Sequence, residues 1–429
     1  MQIHIVQQGQ NLNQIAQTYS TTYQEIVRTN EIPNPNDLAV GQAIVIPIRG
    51  QFYWVQPGDS LSSIGRKFGF PAAELARINR IPLNTALQVG FRLYIPAGKR
   101  RSAEFNAYVE PRGNTVAPNL ERSAREAAPY LTYLGPFSFQ IRRDGTLKEP
   151  LLNNFREIAA QNNVTLMMAI TNIENDQFSD EIGRIILNNE EIQNKLLTNI
   201  VETAKKYGFR DIHFDMEYLR PEDKNAYNNF LRKAKSRFSR EGWLLSTALA
   251  PKTSAGQKGK WYEAHDYKAH GEIVDFVVIM TYEWGYSGGP PMAVSPIGPV
   301  RKVLEYAKTE MPSRKIMMGQ NLYGYDWTLP FVQGGQFAKA ISPQQGIRLA
   351  SKYNVPIQYD ITAQAPHFNY TDENGKQHEV WFEDARSIQA KFNLVKELDL
   401  RGVSYWKLGL SFPQNWLLIT DNFEVEKKR

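Results

Sequence analysis

Cysteine is missing from all 429 residues, which removes disulfides, thiolate nucleophiles and cysteine-ligated metals together and leaves the fold to be held by packing alone. Histidine is scarce. The six, at positions 4, 213, 265, 270, 367 and 378, show no metal-ligand spacing, so neither a metal centre nor a cofactor is expected. Charge of one sign is not in excess: 50 Lys and Arg stand against 44 Asp and Glu, a net +6. Basic residues cluster only briefly, at Lys99-Arg100-Arg101 and Lys427-Lys428-Arg429, which speaks against nucleic acid as a partner, while a mildly cationic surface suits a polyanion such as a cell wall. No apolar run approaches the ~18 residues of a membrane span. The opening MQIHIVQQGQN has neither a basic n-region nor an apolar h-region, so no Sec-type leader is read there.

What is present is a hydrophobic content of 42% with 12% aromatics, enough to build two or three globular domains. The first hundred residues repeat themselves at an offset of 49 without a gap: HIVQQGQNLNQIAQTY over YWVQPGDSLSSIGRKF, TNEIP over INRIP, LAVGQAIVIP over LQVGFRLYIP. In each copy a short strand enters a Gly turn, Leu12, Ile15 and Tyr19 recur on one helical face, a second helix follows, and a closing strand ends the unit. A βααβ unit this small, with no acid/base pair, is suited to binding rather than catalysis.

The pattern V-x-x-G-[QD]-[NS]-L-x-x-I, then N-x-I-P, then V-G-x-x-[IL]-x-I-P resembles the LysM module. The resemblance implies binding of N-acetylglucosamine-containing glycans such as peptidoglycan. It places the sugar groove at Gly9, Gln10, Asn11, Asn30, Ile32 and Pro33 in the first copy, and at Gly58, Asp59, Ser60, Asn79, Ile81 and Pro82 in the second. The plainer reading is that the Gly, Asn and Pro residues shape turns, with exposed main chain doing the binding. Residues 1–48 and 49–98 are read as the two modules, and the polar stretch AGKRRSAE as the boundary.

From residue 99 to 429 strand-like runs alternate with amphipathic segments. EFNAYVE, YLTYLGPFSF, VTLMMAIT, DIHFDME, LLSTALAP, VDFVVIMTY, KIMMGQNLY and GVSYWKLG give eight strands with helical crossovers, the signature of an α/β protein of the (β/α)8 barrel type. An interruption at about 330–385 reads as a small α+β insertion after the seventh strand. In the fourth strand, FRDIHFDMEYL, alternation puts His213, Asp215 and Glu217 on one face with Ile212, Phe214 and Met216 on the other. A column of titratable groups aimed into a barrel is costly to desolvate, which marks a functional site at the C-terminal end of the strands.

That strand resembles the D-G-x-D-x-D-x-E signature of family-18 glycoside hydrolases, with Glu217 and Asp215 on the last two acidic positions, His213 in place of the inner aspartate, and Arg210-Asp211 where Asp-Gly is usual. MTYEWG is similar to the family's M-x-Y-D, so Tyr282 falls on its tyrosine and Glu283 replaces its aspartate; Trp406 stands where the family has a tryptophan floor. The resemblance implies that Glu217 protonates the leaving oxygen, that the sugar's own 2-acetamido group attacks the anomeric carbon, and that Asp215 and Tyr282 hold that group, a retaining exception to the two-carboxylate scheme. His213, Trp284, Tyr323, Asn321 and Trp406 are counted as substrate-binding. His213 stands open to three readings: a donor to Asp215, a charge holding Asp215 ionised, or a satisfied core histidine.

Two wall-binding modules before such a barrel look like the spore cortex-lytic N-acetylglucosaminidases of Bacillus-type bacteria. This implies a monomer that acts on cortex peptidoglycan fragments during germination and is deposited on the spore without a leader. A chitinase-type endoglycosidase and a catalytically inactive lectin-like barrel are the alternatives.

Overall fold

A computed structural model describes residues 1–32 and 34–428. Each N-terminal unit is a two-stranded antiparallel hairpin closed over two helices. The first pairs Gln2–Ile5 with Ala43–Ile46 around helices Leu12–Tyr19 and Tyr23–Asn30. The second pairs Gln51–Trp54 with Arg92–Ile95 around Leu61–Phe68 and Ala72–Asn79. The repeat sets their cores in register: Val6, Leu12, Ile15, Ile26, Ile44 and Ile46 in one, Val55, Leu61, Ile64, Leu75, Leu93 and Ile95 in the other, all buried. Asn11 and Ser60 start the first helix of each unit, their side chains accepting from the backbone N–H of Gln14 and Ser63, which satisfies an otherwise orphaned donor.

Eight parallel strands close a barrel in the order Arg101–Val109, Tyr133–Pro136, Thr165–Thr171, Asp211–Asp215, Leu244–Leu249, Phe276–Ile279, Ile316–Asn321 and Gly402–Trp406, the last pairing back onto the first. At that seam a Cβ on Gly402 would stand 1.7 Å from the Glu104 carbonyl oxygen, so only glycine lets the eighth strand approach the first. Helices such as Glu190–Tyr207 bury Leu196, Leu197, Ile200, Val201 and Ala204 against the outward side of the strands, each large apolar side chain contributing roughly 1.5–3 kcal/mol. Ile212, Phe214 and Met216 face this outer layer, while Tyr108, Tyr133, Met167, Phe276 and Met317 fill the interior. No helix among the described residues is long and apolar enough to cross a membrane.

The insertion is a five-stranded antiparallel sheet with helix Pro343–Lys352. It starts earlier than 330, because Gly324–Thr328, which reads in sequence as a continuation of the seventh strand, pairs with Gln377–Trp381 and Lys339–Ile341 instead. The insertion also receives the first module. Ile357 N–H donates to the Val40 carbonyl at 2.8 Å and Gln344 Nε2 to the Asn30 carbonyl at 2.7 Å, while Arg386, on the helix Ala385–Glu397 that follows the insertion, reaches the Gly41 carbonyl. A Cβ on Gly41 would overlap Ile357 backbone, and Ala39 joins the insertion's own core with Ile341, Ile347 and Phe368. The second module rests on the first, through Phe52 N–H to Gln2, Arg92 to the Thr18 carbonyl, and Trp54 against Tyr19.

Candidate functional site

The fourth strand ends at Asp215, and Glu217 lies two residues beyond it in the turn that follows. Two groups from other segments hold that turn, one past the third strand and one in the loop after the fifth. Asn172, just past the third strand, donates to the Glu217 carbonyl and accepts from its N–H, both at 2.9 Å. His265 accepts from Ala250 N–H at Nδ1, so its Nε2 carries the proton and donates to the Met216 carbonyl at 2.9 Å. Tyr218 and Glu283, each directly after a site residue, hold left-handed φ values of +54° and +67°, strain of about 1–3 kcal/mol apiece that the surrounding fold must impose.

Above the strand ends opens a cleft of about 880 Å³ lined by Asp215, Glu217, Tyr282, Tyr323 and Trp406 together with Phe137, Trp261 and Tyr325. Trp406 lies edge-on to Phe137 at 4.8 Å and to Tyr108 at 5.6 Å. Trp261, from the loop after the fifth strand, donates its indole N–H to Glu217 Oε2 at 2.5 Å and stacks on Tyr218. Tyr323 and Tyr325 both donate to Glu283 Oε1. At the cleft's edge Lys407 pairs with Glu110.

Burial and the neighbouring Asp215 charge push the Glu217 carboxyl well above the carboxylate range, and the Trp261 hydrogen bond opposes that shift. Asp215 is raised by burial to about 7, and its Oδ1 is buried with no hydrogen-bond partner among the described residues. A proton-bearing carboxyl beside a second carboxyl whose oxygen is free, over an aromatic floor, is equipped to protonate a leaving oxygen and to orient a donor on the substrate.

Three residues of the expected substrate-binding set sit elsewhere. His213 is fully buried beneath the cleft, its Nε2 2.9 Å from Tyr108 Oη and its Nδ1 2.8 Å from Ser246 Oγ. It makes no hydrogen bond to Asp215, and burial lowers it to about 3, so it neither donates to that carboxylate nor carries a charge beside it. Asn321 is buried and committed, donating to the Tyr323 carbonyl at 2.7 Å and accepting from Ser295 at 2.6 Å; it supports the cleft wall from behind. Trp284 lines an adjoining hollow with Pro251, Thr253 and Lys302 instead of the main cleft. Tyr108, Ser246, Asn172 and Trp261 went unmarked because they come from four other parts of the chain and form no linear motif. Tyr108 and Ser246 carry a signal, since alternation in EFNAYVE and LLSTALAP turns them inward. Among the described residues no three His, Asp or Glu side chains converge as a metal would require.

In the modules most of the named side chains are already engaged. Asn30 donates to the Ile26 and Val45 carbonyls and accepts from Val45 N–H; Asn79 does the same with Leu75 and Tyr94. Gln10 accepts from Gln7 N–H, and Asp59 from Gln56 N–H and Tyr53 Oη. Ile32 is buried in the first module's core, Ile81 packs partly on the second's, and Pro82 is exposed. Gly9 and Gly58 take left-handed φ near +80° and leave the adjoining main chain open. Pro33 lies outside the described residues.

A closed (β/α)8 barrel with an acid pair at the tip of its fourth strand, behind two small βααβ units, defines a glycoside hydrolase with appended binding modules. Residues 108–410 match the family described as Glycosyl hydrolases family 18, and residues 4–47 and 53–96 match the LysM domain; the chain belongs to glycosyl hydrolase family 18 and carries two LysM domains. It is 71% identical over 428 residues to the "Cortical fragment-lytic enzyme" of Bacillus subtilis (strain 168), covering 100% of this chain and 99% of that one. The Bacillus anthracis protein of the same name is 59% identical over 429 residues, with both chains covered completely. Among solved structures, the spore cortex-lytic enzyme SleL of Bacillus megaterium QM B1551 superposes with a TM-score of 0.93 at 57% identity, covering 100% of this chain and 99% of that one.

Proposed function

We propose that the chain hydrolyses spore cortex peptidoglycan, cutting after N-acetylglucosamine with retention of configuration, and that its substrates are fragments of cortex released during germination. The cortex assignment follows the names of relatives that this chain matches along their full length. The stereochemistry rests on one observation: Asp215, raised to about 7, keeps a buried oxygen with no partner among the described residues beside a Glu217 that burial pushes well above the carboxylate range; the choice of the bond after N-acetylglucosamine follows the family resemblance.

In this reading Glu217 gives its proton to the leaving oxygen while the substrate's 2-acetamido oxygen closes on the anomeric carbon. Asp215 accepts the acetamido N–H, Tyr282 donates to its oxygen, and Trp406 carries the sugar face. Holding the internal nucleophile in near-attack geometry replaces the second carboxylate of ordinary retaining enzymes. Glu217, ionised after the first step, then takes a proton from water as it attacks the oxazolinium. Residues 1–48 and 49–98 hold wall glycan through main chain around Gly9 and Gly58, residues 99–429 carry out the reaction, and the protein works as a monomer in the spore.

The test is proton NMR of the nascent product from defined cortex fragments, with chitin oligomers as the competing substrate. The expected result is a β-configured reducing end from cortex fragments and weaker turnover of chitin. An α-configured first product overturns the mechanism, and preferential chitin cleavage overturns the substrate.

A further inference from the structure

The two N-terminal modules repeat one fold at an offset of 49 residues, but their surroundings differ. The turn into the first helix is open in both: Gly9 and Asn11 are exposed in one copy, Gly58 and Ser60 in the other. The loop from the second helix to the closing strand is open in only one. In the first module four main-chain carbonyls there already accept from the catalytic domain: Asn30 from Gln344 Nε2 at 2.7 Å, Asp37 from Ser351 Oγ at 3.1 Å, Val40 from Ile357 N–H at 2.8 Å and Gly41 from Arg386 at 3.2 Å. Glu31 is engaged as well, accepting from Ser411 at 3.1 Å.

The matching carbonyls of the second module, on Asn79, Ala86, Val89 and Gly90, accept no hydrogen bond among the described residues. A Cβ on Gly41 would overlap Ile357 backbone, whereas one on Gly90 would meet nothing within 4 Å. Gln42 is 3% exposed and its counterpart Phe91 41%; Leu83 and Val89, on the same loop as Phe91, are 52% and 64% exposed. The second loop therefore presents bare main-chain acceptors beside apolar side chains, one of them aromatic. An N-acetylated sugar chain brings the complement: O–H and N–H donors around each ring edge and an apolar ring face. A second copy of the chain offers no matching seat, because its own first module fills the insertion.

We propose that the second module makes the wall-glycan contact through its loop 83–91, and that the first has given the equivalent loop, 34–42, to the catalytic domain and serves as the joint. The proposal rests on the wall binding by the modules stated under Proposed function and divides it unequally, leaving the first module only the turn around Gly9.

Paired substitutions at one repeat position read the division. Pelleting with insoluble peptidoglycan is measured on full-length protein carrying Glu217→Gln, so that the wall stays uncut, with thermal melting as the check of folding. Val89→Asp and Phe91→Ala are expected to melt as the parent does and to raise the half-saturating peptidoglycan concentration about tenfold. Val40→Asp adds the same charge one repeat earlier, at a side chain that is also exposed, and shifts that concentration by less than about twofold. Val40→Asp that weakens binding as much as Val89→Asp, or Val89→Asp and Phe91→Ala that bind as the parent does, overturns the proposal. So does a concentration-dependent dimer in sedimentation velocity that Val89→Asp abolishes, which gives the face to a second copy. A parent protein that pellets with no peptidoglycan removes wall binding itself, and the division with it.

Discussion

Asn30 and Asp215 are both buried polar side chains, but the first module and the barrel mouth treat them in opposite ways. Asn30 makes three hydrogen bonds to main chain and ties a helix to a strand; Asp215 keeps a buried oxygen unbonded among the described residues, and burial raises its pKa to about 7. The difference separates two uses of polarity inside a protein. A saturated group is part of the frame, whereas an unsaturated one costs stability that only a ligand can return.

The sharpest way to test the contrast is at the barrel mouth. Glu217→Gln is expected to lower kcat on cortex fragments about 10³-fold, within the range for loss of a general acid, while the variant pellets with insoluble peptidoglycan as wild type does. Undiminished turnover would break the assignment of the mouth.

Asp215→Asn comes next, with kcat reduced roughly 10²-fold as the acetamido N–H exchanges a charged acceptor for a neutral amide. This change also reads the stability cost. The folded carboxyl titrates near 7 against about 3.9 unfolded, so between those values the folded state binds more protons, and its stability falls as pH rises through the window. The variant should therefore melt higher than wild type at pH 8 and lose that advantage by pH 4.

Asn30→Ala sits on the other side of the comparison. It strands two carbonyls and a buried N–H and is expected to cost about 1–3 kcal/mol in denaturant unfolding, with kcat on soluble fragments unchanged. Asn79→Ala should cost less, because its site is only partly buried. Equal losses would blur the comparison.

The smallest effect is expected at Trp261. Its indole N–H stabilises the Glu217 carboxylate and lowers its pKa; Trp261→Phe therefore raises Glu217 further and moves the alkaline limb of the pH–rate profile to higher pH, with kcat at the optimum changed by less than about tenfold.

The repeat and the barrel strands were legible because both are periodic. An offset of 49 carries whole cores from one unit to the next, and inward alternation in the fourth strand marks Asp215 without any knowledge of its neighbours. Glu217 and Tyr282 were reachable because a linear motif carries them. The bonds from His213 to Tyr108 and Ser246 were not, since they exist only once three strands are in register. Asn321 shows the converse: a strand end places a residue near a cleft, but its side chain answers to local hydrogen bonds. The insertion's early start at Gly324 follows the same rule, because a β-rich run does not announce which sheet it will join.

Gly41, seated where any side chain would strike Ile357, has a reach of its own. It brings the first module and the insertion into backbone contact, so a larger residue at position 41 would have to push the module away from its seat.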